Sequence, residues 1–188
     1  MQPAGYVPRV EWEDFPESVK SRLEPRVKRL GYLGEFFKCT VHQPEALAAF
    51  VDFTESGKGS LPNRLVEVIA LTCANWMSNA YERNQHERLA VRLGFGRDWV
   101  AAVDALTPDK PSAMTEEERR LQRLVLTILE SRGATAQAPF KACVAELGPE
   151  KAMAVLMVVG RYVVHALIVN TLALAPPVPS IFEDGFTG

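Results

Sequence analysis

Apolar residues recur along this chain at helical spacing, and the long alternating runs that mark strands are absent. The pattern predicts an all-α chain of about seven to nine helices joined by short connections. Pro16 to Leu30 is a charged helical stretch, interrupted or restarted at Pro25, with Gly31 and Gly34 as punctuation. A second helix runs from Pro44 to Thr54, and Glu55 to Ser60 (ESGKGS) reads as a polar loop. Pro62 opens a helix that is apolar on most sides, with Leu65, Val66, Val68, Ile69 and Leu71. Asn75, Ser78 and Asn79, three good N-cap residues, place a break within Cys73 to Asn79. The next helix spans Ala80 to Leu93 and stops at Gly94, and a short one starts at Asp98 and ends before Pro108. Thr115 and Glu118 form a capping box ahead of Leu121, Leu124, Val125, Ile128 and Leu129, which share one helix face. Pro139 to Leu147 is a helix, Gly148-Pro149 a turn, and Glu150 to Leu174 a final long helix ended by Pro176, Pro177 and Pro179.

Composition narrows the class. A chain of 188 residues with 47% hydrophobic content supports one domain over residues 1–188 with a core that needs no disulfide or metal staple. Ala152 to Ala175 is apolar and long enough to span a bilayer, but Arg161 and His165 fall near its centre, where charge is costly in lipid. It therefore reads as a helix buried in protein, with no membrane partner. The 21 basic residues balance 23 acidic ones for a net charge of −2, so nucleic-acid binding has no electrostatic footprint. Met1 to Asp14 lacks the basic start and apolar core of a signal peptide. Cys39, Cys73 and Cys143 form neither a disulfide framework nor a zinc pattern. A cytoplasmic setting is the simplest expectation.

The chemistry concentrates in Leu61 to Gly94, LPNRLVEVIALTCANWMSNAYERNQHERLAVRLG. Glu67 interrupts an apolar run. Asn79, Glu82 and His86 line one face of the following helix, at spacings of three and four. On one straight helix Glu67 and Glu82 would stand about 22 Å apart, so they meet only if the chain turns back between them. That turn would build a two-helix cleft with a buried carboxylate on one wall and a Glu/His pair on the other. Such a set can pass a proton near neutral pH.

The spacing E-x14-E-x3-H, with YERNQH at its end and a glycine soon after, resembles the carboxymuconolactone decarboxylase family. The long apolar helix followed by PPVPSIF is similar to the end of longer members, which makes residues 61–94 the motif core and 176–188 a C-terminal tail. The resemblance implies an alkyl hydroperoxidase D-like orthogonal bundle and a homo-oligomer, a dimer or a trimer of dimers. The peroxidase branch of the same superfamily carries E-x11-C-x2-C-x3-H. Here Glu67 and His86 fit that pattern, while Asn79 and Glu82 occupy the two cysteine positions. The acid/base half of that site is retained and the thiol half is missing.

These readings converge on a cofactor-independent acid/base enzyme that decarboxylates or isomerises a small organic acid or lactone. His86 is the acid/base, Glu82 orients it or shares its proton, and Glu67 completes the relay. Asn79, Tyr81, Arg161 and His165 are the candidate substrate-binding residues. The bland alternatives are concrete. Glu67 also reads as a buried acid paired with Arg64 or Arg161, Glu82/His86 as a surface i,i+4 pair, and His165 as a satisfied core histidine. Tyr81, Trp76 and Tyr162 read as core or pocket wall, and Cys73 as an inert core thiol. Glu82 and His86 are too few to define a metal site, and no phosphate loop implies a nucleotide or flavin. Two other functions stay open: a hydroperoxidase-like antioxidant protein, and a non-catalytic binding protein of the same fold. The two all-round apolar helices suggest cover from a partner subunit, and Ile181, Phe182 and Phe186 could close a neighbour's cleft.

Overall fold

A computed structural model describes residues 7–183 and 186. Among them are eight α-helices and no strand: α1 (Glu17–Leu30), α2 (Glu35–Thr40), α3 (Pro44–Gly59), α4 (Asn63–Trp76), α5 (Ala80–Arg92), α6 (Arg97–Asp104), α7 (Glu116–Ser131) and α8 (Gln137–Thr171). Residues 1–6 of the expected N-terminal stretch, and 184–185 and 187–188 of the expected tail, lie outside the described residues.

Helix α4 runs through the middle, with every residue from Leu65 to Ala74 buried. It packs against α5, α6, α7 and α8. The chain alone therefore covers α4 on all sides, so the expectation that it needs a partner subunit does not hold. The amphipathic face of α7 supplies Leu121, Leu124 and Val125 to this core. Its start is fixed by the capping box: the Thr115 hydroxyl accepts from the Glu118 N–H, and the Glu118 carboxylate accepts from the Thr115 N–H. A second apolar group gathers Val19, Leu23, Phe36, Leu47 and Val51 from α1, α2 and α3 around the end of α8.

Several boundaries differ from the sequence pattern. Helix α1 passes through Pro25 without a break, held by buried Val19 and Leu23. ESGKGS is not a loop, because α3 continues to Gly59 and packs on α8. Gly57 lies at this contact, where an added Cβ would meet Val158 Cγ2 at an ordinary 3.4 Å. The break after α4 is shorter than expected, with helix persisting to Trp76. Helix α2 had no clear signal. Helix α8 comprises two arms that meet at Gly148 (φ 81°, ψ 162°), a backbone state open essentially to glycine alone.

Candidate active site

The turn Met77–Asn79 folds α5 back onto α4. Asn79 caps α5, its Oδ1 accepting from the Glu82 N–H at 3.2 Å. The reversal brings His86 against Glu67, with His86 Nδ1 2.7 Å from Glu67 Oε2. Both side chains are buried. The predicted two-helix cleft is therefore formed: Glu67 meets a histidine and not an arginine, and Glu82 and His86 are buried and not at the surface. Arg64 pairs with Glu118 at 2.5 Å, and Arg161 pairs with Glu82.

A third wall comes from α8. Tyr162 places its hydroxyl 3.1 Å from His86 Nε2. When the imidazole proton sits on Nδ1, facing Glu67, Nε2 is the acceptor and the tyrosine donates. Burial raises the Tyr162 phenol well above its ordinary range, which keeps it a neutral donor. The result is a chain of hydrogen bonds from Glu67 through His86 to Tyr162. The sequence pattern alone assigns Tyr162 to core or pocket wall.

Glu82 has a different task from the one expected. Its Oε2 lies 3.9 Å from His86 Nε2, beyond hydrogen-bond reach. Its Oε1 pairs instead with the Arg161 guanidinium and lies 3.6 Å from His165 Nε2. Burial alone would raise the Glu82 carboxyl. In the acid range where it would titrate, the charges of His165, Arg161, His86 and Lys58 outweigh burial and hold the group well below the usual carboxylate range. Burial in turn pushes the His165 imidazolium down to about 3, with Glu82 opposing. His165 is thus neutral at pH 7, and Arg161 is the fixed cation beside Glu82.

A cavity of about 360 Å³ opens on this arrangement. Its walls include Tyr81, Glu82, His86, Arg161 and His165, so five of the seven predicted residues face it. Glu67 lies behind His86. Asn79 is a correction: it is buried, caps α5 and meets His165 Nδ1 at 3.4 Å, and it is not among the cavity walls. His165 also stacks on Phe36, with ring centroids 4.2 Å apart. Tyr81 reaches the Phe36 N–H at 3.4 Å, and its approach to Gly34 leaves no room for a Cβ there.

The remaining walls are strongly basic. Arg26, Arg29, Lys58, Arg88 and Arg92 join Arg161, against the single acid Glu82. Arg161 Nε is buried and has no hydrogen-bond partner among the described residues. Arg161 itself lines the cavity, so this donor stands close to where a ligand would sit. Lys58 was not singled out from the sequence, because ESGKGS read as a loop.

The tail closes this chain's own cleft, correcting the expectation that it crosses to a neighbour. Asn84 donates to the Val178 carbonyl at 2.9 Å and Arg88 to the Pro179 carbonyl at 2.8 Å. Glu87 accepts from the Ser180 hydroxyl and the Ile181 N–H. Val178 and Phe186 line the cavity. No cysteine does so among the described residues. Cys73 is enclosed in the core, where burial pushes its thiol up to about 12.

Comparison with known proteins places the fold. No family profile matches the chain, and no curated protein matches it in sequence. Among solved structures, it is similar to an alkylhydroperoxidase AhpD core protein, an uncharacterized peroxidase-related protein from Ralstonia eutropha JMP134. The TM-score is 0.79 at 17% identity, over 99% of this chain and 96% of that one. It is also similar to a cysteine-to-alanine variant of the debrominase Bmp8 in complex with 2,3,4-tribromopyrrole. There the TM-score is 0.73 at 15% identity, over 90% of each chain. The chain thus has the all-α, alkylhydroperoxidase D-like fold.

Proposed function

We propose that this chain is a cofactor-independent acid/base enzyme acting on a small organic acid or lactone, by decarboxylation or isomerisation. The observation that carries the reading is the pairing of the Glu67–His86–Tyr162 chain with a buried, acceptor-free Arg161 Nε at one cavity. Arg161 and the basic rim hold the anionic group of the substrate. Glu67 holds the imidazole in one tautomer, and His86 Nε2 takes a proton from carbon or returns one when the substrate displaces the Tyr162 hydroxyl that rests on it. Glu82 fixes Arg161 in place rather than orienting His86. A homo-oligomer in the cytoplasm, with no membrane or nucleic-acid partner, completes the reading.

The peroxidase and debrominase neighbours favour a thiol reaction as the second reading. The burial of Cys73 and the absence of a cysteine at the described cavity walls count against it. A stability-shift and turnover screen of small organic acids and lactones, run on the native chain and on His86→Gln, tests the first reading. At least one compound is expected to stabilise the native chain and be turned over, with a loss of roughly 10²–10⁴-fold in His86→Gln. No stabilisation and no turnover across the panel, or full turnover in the variant, would defeat it. Peroxide consumption that disappears in Cys73→Ser would establish the second reading instead.

A further inference from the structure

We propose that Lys58 is an amine nucleophile of this cavity, condensing with the ketone carbonyl of a small oxo acid to form an imine. The inference rests on the acid-binding reading above and narrows its substrate class. Lys58 sits one residue before the end of α3, which packs on α8. Its side chain is half-buried and lines the cavity. Among the described residues it has no hydrogen bond or ion pair. Its amine lies against the ring of Tyr162, 5.2 Å from the centroid.

The same ring receives the Arg161 guanidinium, 4.3 Å from the centroid, and its hydroxyl meets His86. One aromatic side chain therefore gathers an amine, a carboxylate-binding cation and the end of the proton relay. Burial first, and Arg161 next, pull the Lys58 ammonium down to about 8; Arg26 acts in the same direction, while Glu82 and Glu67 oppose. A substantial neutral fraction of the amine at physiological pH follows.

The step balances without an oxidant or a reductant. The neutral Lys58 nitrogen gives its lone pair to the carbonyl carbon, and the carbonyl π pair moves to oxygen, which takes one proton from the attached nitrogen and a second from solvent. Loss of that oxygen as water leaves a protonated imine, and the solvent proton is returned when the iminium is hydrolysed. With a 3-oxo acid, the bond to the carboxylate then breaks as carbon dioxide leaves. Its electron pair flows through the new carbon–carbon double bond to nitrogen, neutralising the iminium as an enamine. Protonation at carbon, in reach of the His86 relay, regenerates the iminium, and one water hydrolyses it to ketone and free amine. The water lost at the start is regained at the end.

The test is reductive trapping. The native chain and Lys58→Arg are incubated at pH 7 with pyruvate or acetoacetate and sodium cyanoborohydride, then mapped by peptide mass spectrometry. Stability shifts are read on the same samples without reductant. The expected result is an adduct on Lys58 with the mass of the oxo acid less one oxygen atom, and for acetoacetate also that mass less carbon dioxide, from trapping after decarboxylation. It should exceed labelling at any other lysine by at least about tenfold, as a larger neutral fraction requires. Lys58→Arg, which keeps the cation, should melt like the native chain and lack the adduct. Labelling spread evenly over the surface lysines overturns the proposal. An acid that stabilises the chain without labelling Lys58 overturns the amine while leaving the acid-binding cavity standing. Neither stabilisation nor labelling by any acid brings down both.

Discussion

Around His86 the hydrogen-bond geometry decides which nitrogen can act. Nδ1 is held by Glu67 at 2.7 Å and Nε2 by the Tyr162 hydroxyl at 3.1 Å, so Nε2, whose partner is a neutral hydroxyl, is the nitrogen that a ligand can take over. Glu67→Gln removes the charge that fixes this tautomer. Nitrogen NMR of the imidazole should then show both tautomers where the native chain shows one, and turnover should fall about a hundredfold. Tyr162→Phe deletes one neutral hydrogen bond and should cost about tenfold. An unchanged tautomer and full turnover in Glu67→Gln would remove the relay from the mechanism. Glu67 and His86 were legible because each breaks a local pattern: an acid in an apolar run, and a histidine one turn after an acid. Tyr162 and Lys58 were not, because their roles arise only when α8 and α3 pack against α5. Neighbours in sequence give no hint of a hydroxyl from residue 162 meeting a ring at 86.

At the scale of elements, α5 is the organising piece. One face carries Glu82 and His86 toward the cavity, and Asn84, Glu87 and Arg88 grip the tail. The capped turn that reverses α4 into α5 was readable from Asn79, since cap chemistry is local. The extension of α3 through ESGKGS was not, because a tertiary contact with α8 overrides weak local propensity. The tail's anchor also carries a pH response. Asp104, at the end of α6, accepts from Asn75 at 2.7 Å. Burial, and then the nearby Glu87, raise its carboxyl to about 7. The folded chain therefore binds a proton there that the unfolded chain releases near pH 4. The stability this contributes is fully present below about pH 4, declines as pH rises toward about 7, and is absent above it. Asp104→Asn keeps a neutral side chain with both a donor and an acceptor. Urea unfolding from pH 4 to 8 should show the native chain losing about 2–4 kcal/mol relative to this variant. Parallel curves for the two chains would mean that Asp104 does not titrate in this range.

At the scale of the molecule, α8 poses the remaining problem. It is long and apolar enough to cross a membrane by length and composition. One side faces the core through Val155, Val159, Tyr162 and Ala166, and Arg161 and His165 are committed to the site. The opposite side bears Met153, Met157, Gly160, Val164 and Leu167, at intervals of three and four, with the four large side chains exposed by 45% to 55%. Phe53 and Trp76 are also exposed large apolar residues. Between Lys151 and Thr171 the only charged residue is Arg161, which is buried, so nothing on this side of the helix repels an identical surface. A second copy, related by a twofold axis, would lay one stripe on the other. Each methionine or leucine, about half covered already, contributes about 1 kcal/mol more when the rest is covered. Light scattering in detergent-free buffer at micromolar concentration should give at least a dimer. The double change Met157→Glu and Leu167→Glu should yield monomers with an unaltered helical signal. A native chain that scatters as a monomer, or that partitions onto lipid vesicles instead of self-associating, would show that the stripe serves something other than a copy of itself.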